Sequence, residues 1–128
     1  MSLLEEMYHY LTTTLELSRN KALGLIANAE RESGLQTVVS GDNGTSNGIF
    51  QWHGHRLTNL KASVPNWRKS WKAQFQYALT EDVGPKYLLE TFSNPQEAAH
   101  WWMMHWARPK NKAAARQKNN KFLSLYNF

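Results

Sequence analysis

Residues 22–60 read ALGLIANAERESGLQTVVSGDNGTSNGIFQWHGHRLTNL. The run opens with helical spacing, Leu23, Ile26 and Ala27 falling on one face. That helix ends on an acid, Glu32, followed at once by Ser33-Gly34. Glycine suits the position just past a helix C-terminus, where the backbone turns left-handed. A polar, Gly-rich loop follows with one acid, Asp42, inside the turn signal Asp42-Asn43-Gly44. Then come Gly48-Ile49-Phe50-Gln51-Trp52 and a basic-aromatic tail, His53-Gly54-His55-Arg56. An acid at the end of a buried helix, facing a polar loop with a second carboxylate, is an arrangement suited to cleaving a glycosidic bond.

The same stretch resembles the lysozyme module of phage tails, which is related to the goose-type lysozymes and lytic transglycosylases. The resemblance rests on Glu32-Ser33 and on Gly48-Ile49-Phe50-Gln51, and it is densest over residues 22–60. Farther on, Gln74, the segment 95–99, Pro109 and Arg116 also fit it. It implies a mainly α, lysozyme-like α+β fold: one compact helical domain over residues 1–128, with a short loop or hairpin beside the active-site cleft. It implies a peptidoglycan hydrolase, a muramidase cutting the β-1,4 bond between N-acetylmuramic acid and N-acetylglucosamine, with Glu32 as general acid. Two alternatives stay open beside it. One is a lytic transglycosylase that forms 1,6-anhydromuramic products. The other is a non-catalytic glycan-binding or structural module on the same fold.

Acid catalysis needs a carboxyl that keeps its proton near neutral pH. Burial disfavours the charged form and so raises a Glu pKa. A helix C-terminus, with its partial negative charge, acts in the same direction. Glu32 is the candidate because it sits at a helix C-terminus; the plainer reading is a surface ion pair with Arg31 or Arg19. Glu30 lies two residues earlier, about 200° round the helix, so only one of the two can face a given cleft.

Asp42 either handles the attacking water and the transition-state charge, or simply holds its turn. Thr45 and Ser46 would hold water or sugar, or belong to the turn. Ser33 and Gln51 are candidates for the sugar site, Gln51 because an amide both donates and accepts. Gly48 would let backbone approach the sugar. Trp52 offers a flat face for a sugar ring or a large side chain for the core. His53 is expected to line the cleft. His53 and His55 are spaced as two metal ligands would be, but no third ligand cluster accompanies them, so no metal site is expected, and no cofactor. Arg56 resembles an arginine that holds a loop carboxylate or carbonyl.

The chain has 128 residues, 41% of them hydrophobic and 12% aromatic, enough for one domain with a real core. It has no cysteine, which excludes disulfides, thiol chemistry and Cys-based metal sites. Glu5 and Glu6 follow Met1 with no basic segment or small-residue cleavage site, so no secretory signal is expected. No apolar run is long enough to span a membrane. A wall-cutting protein of this kind would be made in the cytoplasm and delivered to the wall by a virion or another partner. The net charge is +5, and between Arg108 and Lys121 six basic residues stand with no acid. Such a face attracts polyanions, here anionic wall polymers, or is a solvated helix surface. Nucleic-acid binding rests on charge alone, since no recognised motif supports it.

The spacing predicts helices over roughly residues 3–17, 21–33 with Ser18 as N-cap, and 54–60. It predicts another opening at Pro65-Asn66 and carrying Trp67, Trp71, Phe75 and Leu79, broken by Gly84-Pro85. Short helix 86–92 follows, then one capped by Ser93-Asn94-Pro95 and ended by Pro109, and a last one over 111–126. The Trp101, Trp102, Met103, Met104 and Trp106 cluster is too apolar all round for a surface stripe; most of it should be core, with one or two rings available to floor the cleft. A hairpin, if any, is placed around Thr37-Val38-Val39.

Overall fold

Helix α2 (Arg19–Ser33) runs through the middle of the molecule with nine buried residues, Ala22 to Ala29 and Ser33. Its ends are those the sequence signals. The Ser18 hydroxyl accepts from the Lys21 N–H at 3.2 Å, and Gly34 closes the helix at φ 65°. A computed structural model describes all residues 1–128.

Around α2 stand α1 (Leu3–His9), α3 (His55–Ser63), α4 (Trp71–Thr80), α5 (Gly84–Leu89), α6 (Pro95–Trp102) and α7 (Lys112–Leu125). The fold is mainly helical, with one two-stranded antiparallel hairpin, β1 (Ser46–Asn47) and β2 (Trp52–His53). Its register pairs Ser46 with His53 and Asn47 with Trp52. Gly24 lets α2 lie tightly against α6: a Cβ there would come within 2.8 Å of the Ala99 nitrogen.

α6 is capped by the Asn94 side chain, which accepts from Glu97 N–H at 2.9 Å. It runs on into a π-helical turn, Met103–Ala107, which ends at Arg108 with φ 49°. Trp102 and Trp106 of this stretch fill the core, and Trp101 is half-buried against it. Trp102 and Trp106 stack at 4.8 Å, and Phe50 lies 5.1–5.8 Å from Trp52, Phe75, Trp102 and Trp106. α7 covers α2 and α6 with Ala115, Asn119 and Leu123, spaced one turn apart.

Four local expectations are corrected. The first helix is α-helical only to His9. Thr12 turns its hydroxyl onto the Tyr8 carbonyl at 2.8 Å, and Tyr10–Thr14, rich in β-branched residues, form a π turn. Val38 and Val39 form no strand. The Val39 N–H and C=O are taken by the side chains of Asn47 and Gln51, and the hairpin lies downstream at 46–53. Trp67 is not on the same helix as Trp71: it sits in a 3₁₀ turn, and Ser70 starts α4 by accepting from Ala73 N–H at 3.0 Å. Gly84-Pro85 opens α5 rather than breaking a helix, because Pro tolerates the first turn, where its missing N–H costs nothing.

Candidate active site

Glu32, one residue from the C-terminal end of α2, turns its carboxyl into an open cleft of about 700 Å³. One wall carries Arg31 and Glu32 with the loop residues Asp42, Ser46, Gln51 and His53. Ala107 to Lys110, where the chain leaves the π turn after α6, also line the cleft. Glu30 faces elsewhere and accepts from the Tyr126 hydroxyl at 2.6 Å. One acid of the pair therefore meets the cleft, as the helical angle requires.

Opposed effects act on Glu32. Burial pushes its carboxyl above the usual value, and the Asp42 charge pushes the same way. The Arg31 guanidinium, 2.7 Å from Oε1, favours the anion, as Arg56 does more weakly. Burial wins, and the pKa is raised. Arg31 is itself held from two helices. It donates to Asn28 at 2.8 Å and to Asn119 at 3.0 Å, and Asn28 donates in turn to the Ala99 carbonyl. A polar network through α2, α6 and α7 thus fixes the cation beside the acid.

Asp42 is exposed in a short 3₁₀ turn at φ 50°. Its Oδ2 accepts from the Ser46 hydroxyl at 2.6 Å, and Ser46 Oγ lies 3.1 Å from His53 Nδ1. Ser46 is almost fully buried, whereas His53 is open to solvent.

Four residues expected at the sugar site are elsewhere. Trp52 is 1% exposed and donates its indole N–H to Glu81 at 2.8 Å, so its ring packs in the core. Ser33 is buried, its hydroxyl between the Ala29 and Ile49 carbonyls, tying α2 to the loop. Gly48 is buried at φ 89°; a Cβ there would meet Gln74 Oε1 at 2.9 Å, so its missing side chain makes room for the interior and not for a ligand. Thr45 turns its hydroxyl onto the Asp42 carbonyl at 2.7 Å and is not part of the cleft wall. Gln51 does line the cleft, but both amide protons go to the Val39 and Gly48 carbonyls, which leaves the amide oxygen for a ligand.

Arg56 holds the Glu81 carboxylate and the Trp106 carbonyl, each at 3.2 Å, with its guanidinium 3.9 Å above the Trp106 ring. Arg31, Arg108, Pro109 and Lys110 were not picked out as cleft residues from the sequence. Arg108 and Lys110 had signalled themselves only as the start of the basic run. No group of three or more His, Asp or Glu is arranged to hold a metal ion.

The sequence model described as phage tail lysozyme matches residues 3–124. No curated protein and no solved structure matches the chain.

Proposed function

The chain belongs to the phage tail lysozyme family, and we propose that it is a muramidase, cutting the β-1,4 bond between N-acetylmuramic acid and N-acetylglucosamine of peptidoglycan. One observation carries this reading: the single helix-terminal acid in the cleft is also the acid whose pKa burial raises. Glu32, protonated, gives its proton to the leaving glycosidic oxygen as the bond breaks. Asp42 supports the step as the second carboxylate of the same cleft. A water then adds to the anomeric carbon. Gln51 offers its amide oxygen to an N–H or O–H of the glycan. Arg108 and Lys110 suit the carboxylates of the peptide stems that such a strand carries.

A lytic transglycosylase would need no second carboxylate. Asp42, hydrogen-bonded within the cleft, favours the hydrolase. No helix is long and apolar enough to cross a membrane, which accords with delivery by a virion to the wall from outside. The basic residues of α7 would add affinity for anionic wall polymers.

Glu32→Gln tests the reading. General-acid assistance is worth roughly 10²–10⁴-fold, so turbidity loss of a wall suspension should fall by that order while circular dichroism stays that of the parent. A folded Glu32→Gln protein that clears walls at the parental rate refutes the assignment.

A further inference from the structure

Asp42, Ser46 and His53 form a connected chain on the cleft wall. The Ser46 hydroxyl has one proton, and at 2.6 Å it points to the Asp42 carboxylate, which can only accept. Ser46 Oγ is then free to accept, and the group 3.1 Å away is His53 Nδ1. The neutral imidazole that fits this chain carries its proton on Nδ1. Its lone pair is on Nε2, and the ring is exposed on the same cleft as Glu32. The hairpin register sets the geometry, since Ser46 and His53 are direct cross-strand partners.

We infer that His53 is the general base that activates the attacking water, with Asp42 and Ser46 as positioning residues acting through it. This rests on the hydrolase reading above. In the step, a water gives one proton to His53 Nε2 while its oxygen bonds to the anomeric carbon. The carbon–oxygen bond to the leaving sugar breaks, and its oxygen takes the Glu32 proton. The imidazolium donates through Ser46 to Asp42, which stabilises its charge by the logic of a hydroxyl-relayed triad. The imidazolium then returns its proton to solvent and Glu32 regains one, so the net change is addition of one water across the bond. The cleft's second carboxylate is thereby left in support, one hydroxyl away from the base.

The test is rescue by azide, an anion that attacks without losing a proton. His53→Ala, Asp42→Ala, Ser46→Ala and Glu32→Gln would be assayed on purified walls with and without sodium azide, and the products identified by mass spectrometry. His53→Ala should lose roughly 10²–10⁴-fold in kcat with little change in KM. Azide should restore turnover in that variant and yield glycosyl azide of inverted configuration. Ser46→Ala should lose less, and Ser46→Thr, which keeps the hydroxyl, should recover most of the parental rate. Glu32→Gln should be inactive with or without azide.

Three results overturn the inference while leaving Glu32 in its role: a His53→Ala variant with parental kcat, azide rescue in Asp42→Ala but not in His53→Ala, or 1,6-anhydro ends as the parent's product. An active Glu32→Gln protein instead brings down the muramidase reading itself. Thermal melts of each variant guard against misfolding. If His53→Ala does not fold, His53→Gln, which keeps the size and the donor to Ser46, should fold and still lack activity.

Discussion

Burial raises the Glu32 pKa and outweighs the Arg31 cation beside it. Two outcomes follow from that balance. The acid works only while protonated, so lysis falls as pH rises through its pKa. Arg31→Gln keeps a donor for Asn28 and Asn119 but removes a charge that favours the carboxylate. The alkaline limb of the pH–rate profile should therefore move to higher pH, and a limb that stays or moves down would mean that Arg31 does not set this pKa. The second outcome concerns stability. A carboxyl raised in the folded state binds its proton more tightly there than in the unfolded chain. Its contribution is fully present below the unfolded value of about 4.3 and is lost as pH rises through the folded one. The melting temperature of Glu32→Gln should accordingly gain on the parent across that window, measured by calorimetry at stepped pH. A constant difference would contradict it. At this scale the sequence identifies Glu32, Asp42, Ser46, Gln51 and His53 as cleft residues. It misplaces Ser33 and Gly48 and leaves Trp52 and Thr45 open between ligand and structural roles, because whether a residue in a tight turn faces sugar or core depends on what packs behind it. For Gly48 that is Gln74 and the Trp52 ring, and the sequence pattern does not disclose the direction.

The loop that carries the site is held by side chains more than by strands. Gln74, fully buried on α4, accepts from Ile49 N–H at 2.8 Å and donates to the Thr37 and Trp67 carbonyls at 2.8 and 2.6 Å. Gln74→Leu would strand two buried backbone groups and a half-buried one, a buried group costing about 1–3 kcal/mol if left unsatisfied. A loss of about 3 kcal/mol or more in urea unfolding is expected, with lysis reduced as the loop relaxes. A cost under about 1 kcal/mol would show that water replaces the amide. Elements whose ends are encoded locally were legible in the sequence. Ser18 and Asn94 each cap the next helix, and Gly34 closes α2. The hairpin register, the two π turns and the late start of α4 were not legible. They depend on contacts such as Gln51 to Val39 and Gln74 to Thr37, or on a threonine hydroxyl competing for a carbonyl, which periodicity does not carry.

For the whole molecule, the basic run from Arg108 to Lys121 divides into two regions with different expected roles. Arg108 and Lys110 border the cleft, and Arg108 also pairs with Asp82 at 3.0 Å. Lys112, Arg116, Lys118 and Lys121 lie exposed on α7, away from the buried stripe of Ala115, Asn119 and Leu123. Changing those four to Gln should weaken wall binding at low salt and flatten its salt dependence, since fewer counter-ions are involved. Cleavage of a short uncharged chito-oligosaccharide, where accepted, should barely change. Equal wall binding by parent and variant at every salt concentration would reduce the α7 face to a solvated helix surface.

The most direct test of the account is the chemistry of the cut ends. Purified peptidoglycan would be digested in water enriched in heavy oxygen and the fragments analysed by mass spectrometry. The account requires muropeptides ending in reducing N-acetylmuramic acid that carries one labelled oxygen, and none from Glu32→Gln. Fragments ending in 1,6-anhydromuramic acid or in reducing N-acetylglucosamine, or the same products from the Glu32 variant, would contradict it.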